Sequence, residues 1–187
     1  MRRLNAHLLC RLPVTETSAY RRRRHLEQPA ALLTAVHVAS ALAGLVLGAA
    51  ALRFPNGTPR HRVIGKGYLL AWVGIGASGF ALGADSPSLS PFEVLTVVGL
   101  LFVALAYGAV LFRRRIGRRW LRYHYLWMTT SLAALVVTAI NQTLLQTVGP
   151  YPQWLFWAIV LSPFAYMPTL HRRLDERYGF ARQREAA

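Results

Sequence analysis

Long apolar runs alternate with short polar connections along this chain. Five stretches, 30–52, 64–83, 93–112, 123–146 and 152–169, are apolar on almost every side of a helical projection. A helix on the surface of a soluble protein shows one apolar stripe and an opposite charged face. These runs do not. The first has His37 as its only ionisable side chain, the second carries Lys66 near its start, and the third is uncharged after Glu93. The fourth opens with an aromatic cluster, and the fifth is short and punctuated by Pro163 and Pro168. A helix rises about 1.5 Å per residue, so roughly 20 apolar residues cross a hydrocarbon core about 30 Å thick. Within lipid, each backbone N–H and C=O must be satisfied inside its own segment, which makes every such run a helix. The pattern predicts an all-α integral membrane bundle of about five transmembrane helices. Basic tails at 1–29 and 171–187 flank a transmembrane domain at 30–170. Pro29 is expected to open the first helix, where its missing N–H is harmless.

Charge sharpens the picture. The net charge is +15, and the 22 Lys and Arg residues sit almost wholly in the tails and in two connections. Arg53, Arg60, Arg62 and Lys66 surround the first connection, while Arg113, Arg114, Arg115, Arg118, Arg119 and Arg122 occupy the third. The second and fourth connections carry no basic residue. The positive-inside rule then puts the first and third connections and the C-terminus on the cytoplasmic side of a bacterial inner membrane. The N-terminal tail, with Arg21 to Arg24, falls on the outer side against that rule. Such a distribution reads as topology plus attraction to anionic lipid headgroups. No aromatic-interleaved basic fold suggests nucleic acid. "LNAHLLCRL" is broken by Arg11 and Pro13, so no cleaved signal is expected. The single cysteine, Cys10, excludes an internal disulfide and a cysteine-based metal motif.

Candidate chemistry rests on the histidines. His37 lies about 10 Å below the outer surface by helix rise, and an ionisable residue inside a membrane is a functional candidate by default. Ser78, Thr138, Asn141, Gln142 and Trp157 fall at its depth, and Asn141 or Gln142 is its expected hydrogen-bond partner. His61 and His124 each begin a helix on the basic side. If the second and fourth runs are neighbours, the two histidines face one another there. Met128 shares a helix face with His124, and His171 stands at the same level. Two histidines from separate helices suit a b-type haem. Three, His61, His124 and His171, approach a zinc set without a carboxylate. His37 is roughly 20 Å from His124 along the membrane normal and cannot share its metal. The bland alternative makes all of them boundary or packing residues. Hydrolytic and phosphotransfer motifs are absent from the sequence, and Asp85 and Glu93 are the only acids between Glu27 and Asp175.

Three segments, "HVASALAGLVLG", "HRVIGKGY" and "HYLWM", carry a family resemblance. The chain resembles bacterial multi-pass membrane proteins grouped as domain of unknown function 2306, over roughly residues 30–146. The shared positions are His37, Gly48, His61, Arg62, Gly65, Tyr68, His124, Trp127 and Met128. Thr130 stands where that pattern commonly continues with arginine, and a further apolar helix common in the family before His37 is missing. The resemblance implies a membrane bundle and no particular reaction. At the level of fold it also looks like small membrane cytochromes.

Three functional readings follow. The first is a non-enzymatic membrane protein with a histidine-centred site at the cytoplasmic interface. The second is a haem b electron carrier using His61 and His124, with Met128 and His37 as further candidate ligands. The third is an anionic-ligand or lipid-headgroup binder drawing on Arg60, Arg62, Tyr68, Arg118, Arg119, Arg122 and Trp127, with Asn141 and Gln142 as polar contacts. A membrane partner protein or a second copy of the chain is compatible with each.

Overall fold

The computed structural model describes residues 14–55 and 57–179. Every regular element among them is helical: α1 (Val14–Arg53), α2 (Pro59–Gly83), α3 (Pro91–Leu111), the single turn α4 (Arg113–Ile116), α5 (Trp120–Thr147) and α6 (Gln153–Arg177). Four segments, Pro29–Arg53, Pro59–Gly83, Pro91–Leu111 and Arg113–Thr147, are long and apolar enough to cross a membrane. The chain is thus a multi-pass membrane protein by length and composition. α6 has 25 residues but falls short of the others in apolarity.

Helix ends follow local chemistry. Thr58 caps α2 by accepting the His61 N–H at 3.2 Å, and Pro59 occupies the first turn. α2 therefore starts five residues earlier than its apolar run. α3 opens with a capping box in which Ser90 and Glu93 satisfy one another's backbone N–H groups. One of the two acids of the central sequence is thereby committed to a helix end. Pro29 does not open α1. The helix runs 40 residues from Val14 and contains that proline, because one lost backbone hydrogen bond does not stop a helix supported on both sides. In α6, Pro163 leaves the Ile159 carbonyl without its backbone donor, and the Ser162 hydroxyl donates to that oxygen at 2.8 Å. Residues 1–13 and 180–187, with Arg182 and Arg184, lie outside the described residues.

α1, α2, α3 and α5 form a closed ring in that order, with α1 returning onto α5, and α6 packs on the outside of α5. Tyr68, Trp72, Ile75, Val103 and Leu135 fill the centre. Leu95, Phe156 and Val160 make a smaller cluster that ties α6 to α3. Close approach depends on glycine at several points, Gly99 and Gly48 among them. A Cβ at Gly99 would collide with the Trp72 ring, and one at Gly48 would lie 2.6 Å from Leu132 and 2.9 Å from Tyr68. The ring order makes α2 and α5 diagonal partners, not the adjacent pair expected from sequence. Long side chains bridge the gap, as Tyr68 does by its hydroxyl contact to Ser131 at 2.9 Å. Diagonal helices leave space between them wherever such side chains are missing.

Candidate functional site

The space opens at the basic end of the ring. His61 stands in the first turn of α2 and His124 in the second turn of α5, so both face inward from diagonal helices. Their ring centroids are 6.2 Å apart with planes 76° from parallel. Each ring is held from the side. His61 Nδ1 lies 3.2 Å from the Ala51 carbonyl of α1. His124 Nδ1 lies 3.2 Å from the Ala106 carbonyl of α3. A carbonyl only accepts, so each Nδ1 carries a proton, and in the neutral ring the lone pair then sits on Nε2. Ala51 sits in the last turn of α1, where carbonyls lack an intrahelical donor. Ala106 is mid-helix and offers its second lone pair. Four helices thus fix two imidazoles in one tautomer.

Around them lies a cavity of about 500 Å³, within the roughly 300–1,000 Å³ range of ligand sites. Gly48, Leu52, Leu69, Val110, Leu121 and Leu132 make apolar walls, and Tyr68, Tyr107, Trp120 and Met128 also line it. Trp120 stands 6.4 Å from the His124 ring, tilted by 44°. Gly65, one turn beyond His61, lines the cavity too, and a methyl group there would touch nothing within 4 Å. Arg62, Lys66, Arg113 and Arg177 border the same space.

His171 does not join the pair. Its Nε2 is 3.2 Å from the Thr129 hydroxyl, and among the described residues no group of three or more His, Cys, Asp or Glu is placed to hold a metal. Burial holds its pKa below the ordinary value, with Arg122 acting in the same direction and Asp175 opposing. Arg122, a candidate anion binder, is engaged in a two-pronged pair with the buried Asp175: Nε donates to Oδ1 at 3.0 Å and an Nη to Oδ2 at 3.2 Å. The Tyr125 hydroxyl also donates to Asp175, and Tyr178 stacks on Tyr125 at 5.5 Å. This network pins the end of α6 to the start of α5.

At the opposite end, His37 meets Ser78, as its depth suggested, at 3.1 Å. Neither Asn141 nor Gln142 is its partner. The Ser78 hydroxyl donates to the Gly74 carbonyl at 2.5 Å, so His37 Nδ1–H is the donor to Ser78. Asn141 is fully buried, donates to Val137 and accepts from the Tyr151 hydroxyl. Gln142 is exposed. Thr138 and Thr143 satisfy their hydroxyls one turn back on α5, so that polar patch is largely self-contained. Trp127 stacks on Phe102 at 5.5 Å and is not among the cavity's residues. Arg60, Arg118 and Arg119 are exposed at the basic end, away from the cavity wall.

No family model, curated protein or solved structure matches this chain. With metal–nitrogen bonds of about 2.0–2.1 Å, imidazoles on opposite sides of one metal hold their centroids about 6 Å apart. The observed 6.2 Å fits that arrangement. The two histidines and Met128, candidates from the sequence, line one cavity. Sequence reasoning missed Asp175, Trp120 and the two carbonyl anchors. An acidic pair, Asp175 and Glu176, in a basic tail four residues after His171 was the available signal for the first.

Proposed function

We propose that this membrane protein binds a b-type haem between His61 and His124 and serves as a one-electron carrier. The observation that carries the reading is the diagonal pair of tautomer-fixed imidazoles, 6.2 Å apart beside a cavity of about 500 Å³. A macrocycle supplies four of its metal's ligands, so two histidines complete the set. A structural zinc needs about four protein ligands, which this end does not assemble among the described residues. The cofactor would supply one-electron chemistry. The protein's own residues have three tasks. His61 and His124 would hold the group through Nε2, their carbonyl partners would keep ring orientation, and the aliphatic walls would limit water around it. Gly65 leaves room for a flat ring beside the backbone of α2. The positive-inside rule supports a cytoplasmic placement of this end in a bacterial inner membrane.

Spectroscopy tests the proposal. Purified protein should give a sharp reduced-minus-oxidised α band, absent in His61→Ala and His124→Ala. Near-perpendicular imidazoles leave the iron dπ orbitals almost degenerate. If the two rings kept their 76° angle around a bound ferric haem, it would give a highly anisotropic low-spin electron paramagnetic resonance signal. Absence of a haem spectrum after expression with ample haem overturns the reading. The exposed Arg60, Arg118 and Arg119 favour one further role, contact with anionic headgroups, which predicts salt-sensitive binding to anionic vesicles.

A further inference from the structure

The cations beside the cavity are arranged more narrowly than topology requires. The positive-inside rule asks only for basic residues in the connections. Arg62 and Lys66 project one turn apart from α2, Arg113 begins α4, and Arg177 ends α6, yet all four border one cavity. No Asp or Glu lines that cavity. Among the described residues the ion pairs are Arg122–Asp175 and Arg172–Glu176, so none of the four is neutralised by a carboxylate there. Arg60, Arg114, Arg115, Arg118 and Arg119 share the same end without bordering the space. Much of the remaining lining is aliphatic and aromatic. One cavity thus combines an apolar slot, two imidazole lone pairs and a border of uncompensated positive charge.

We infer that Arg62, Lys66, Arg113 and Arg177 form a carboxylate clamp that selects a planar amphiphile with a free-acid edge and turns that edge toward the basic end. The inference rests on the haem reading and names what that site recognises besides the metal: the two carboxylates of the macrocycle. Guanidinium groups suit the task because their planar forks match carboxylates two bonds at a time. Lys66 adds a point charge on a flexible stem. The histidines would hold the metal, and the clamp would set which edge of the bound ring faces the basic end.

The test is a titration of full-length apoprotein in neutral detergent with haem b and, separately, with its dimethyl ester. Binding is read from the low-spin Soret band. The wild type should bind the free acid about tenfold or more tightly than the ester. Arg62→Ala/Arg113→Ala/Arg177→Ala should reduce that preference to less than about threefold while the Soret position stays unchanged. The matching triple Arg→Lys variant, which keeps the charge but loses the fork, should show a preference between those of the wild type and the alanine protein, which guards against a fold defect in the latter. Equal wild-type affinity for acid and ester overturns the clamp and leaves the haem reading standing. A preference that survives the triple alanine variant does the same. Loss of the preference on adding anionic lipid assigns these cations to headgroups instead. A wild type that gives a low-spin spectrum with neither compound removes the haem reading and the clamp with it.

Discussion

Gly65 is the position where fold and ligand binding separate most sharply. It lies one helical turn from His61, borders the cavity, and has open space where a Cβ would stand, with no atom within 4 Å. A leucine there should have opposite effects on fold and ligand. In a helix interior, leucine is more favourable than glycine by about 0.8 kcal/mol, and no neighbour must move to admit its Cβ. The apoprotein of Gly65→Leu should unfold at or above the wild-type temperature. The same side chain projects into the space a flat ligand needs. Crowding of this kind opposes binding by about 1–3 kcal/mol, or roughly 5- to 150-fold in affinity. Gly48→Leu is the contrasting variant. Its Cβ alone would meet Leu132 at 2.6 Å and Tyr68 at 2.9 Å, so folding itself should weaken by about 1–3 kcal/mol. Thermal unfolding in mild detergent and haem titration of both variants separate the two cases. Wild-type haem affinity in Gly65→Leu, or an unfolding temperature clearly below wild type, refutes the reasoning.

The remaining predictions concern the network and the far end. Asp175→Asn leaves Arg122 without its carboxylate. Because the Arg122 side chain is 35% exposed, the loss should be about 1–3 kcal/mol by unfolding, below that of a fully buried pair. Replacing the whole group, Arg122→Met/Tyr125→Phe/Asp175→Leu, should recover most of it, and a triple variant no better than the single would count against the pairing. Burial depresses the pKa of His171, so the unfolded chain takes up its proton first as pH falls. The associated stability is complete above the ordinary value of 6.5 and is lost as pH drops through the lowered folded value. His171→Gln should therefore flatten the acid side of the stability profile, and an unchanged slope would rule this out. His37→Leu should weaken the fold by about 0.6 kcal/mol, because Ser78 keeps its Gly74 acceptor, and should leave any haem spectrum unaltered.

The helices were legible because lipid demands runs apolar all round, and four such spans recur in the structure. Their ends were less so. Thr58 and Pro59 begin α2 five residues before its apolar run, since capping chemistry and not hydropathy places the first turn. Pro29 misled because the sequence shows a breaker without the neighbouring turns that carry a helix through it. His61 and His124 were paired by depth alone, which a count of residues can give. Their diagonal relation could not be counted, because ring order depends on which glycines admit which side chains, such as Gly99 against Trp72. Ser78 as the partner of His37 followed from depth, but the Asn141 alternative failed because Tyr151 arrives from the α5–α6 connection to take that amide's oxygen. Nothing in residue spacing indicates that the Ala51 and Ala106 carbonyls would fix the histidine tautomers.

The most direct measurement is elemental analysis of wild-type protein purified in mild detergent after expression with added haem, beside His61→Ala/His124→Ala prepared identically. Iron should approach one atom per chain in the wild type and be essentially lost in the double variant, with both proteins folded. A folded wild type without iron, or a double variant that keeps it, would contradict the claim that these two histidines hold a haem.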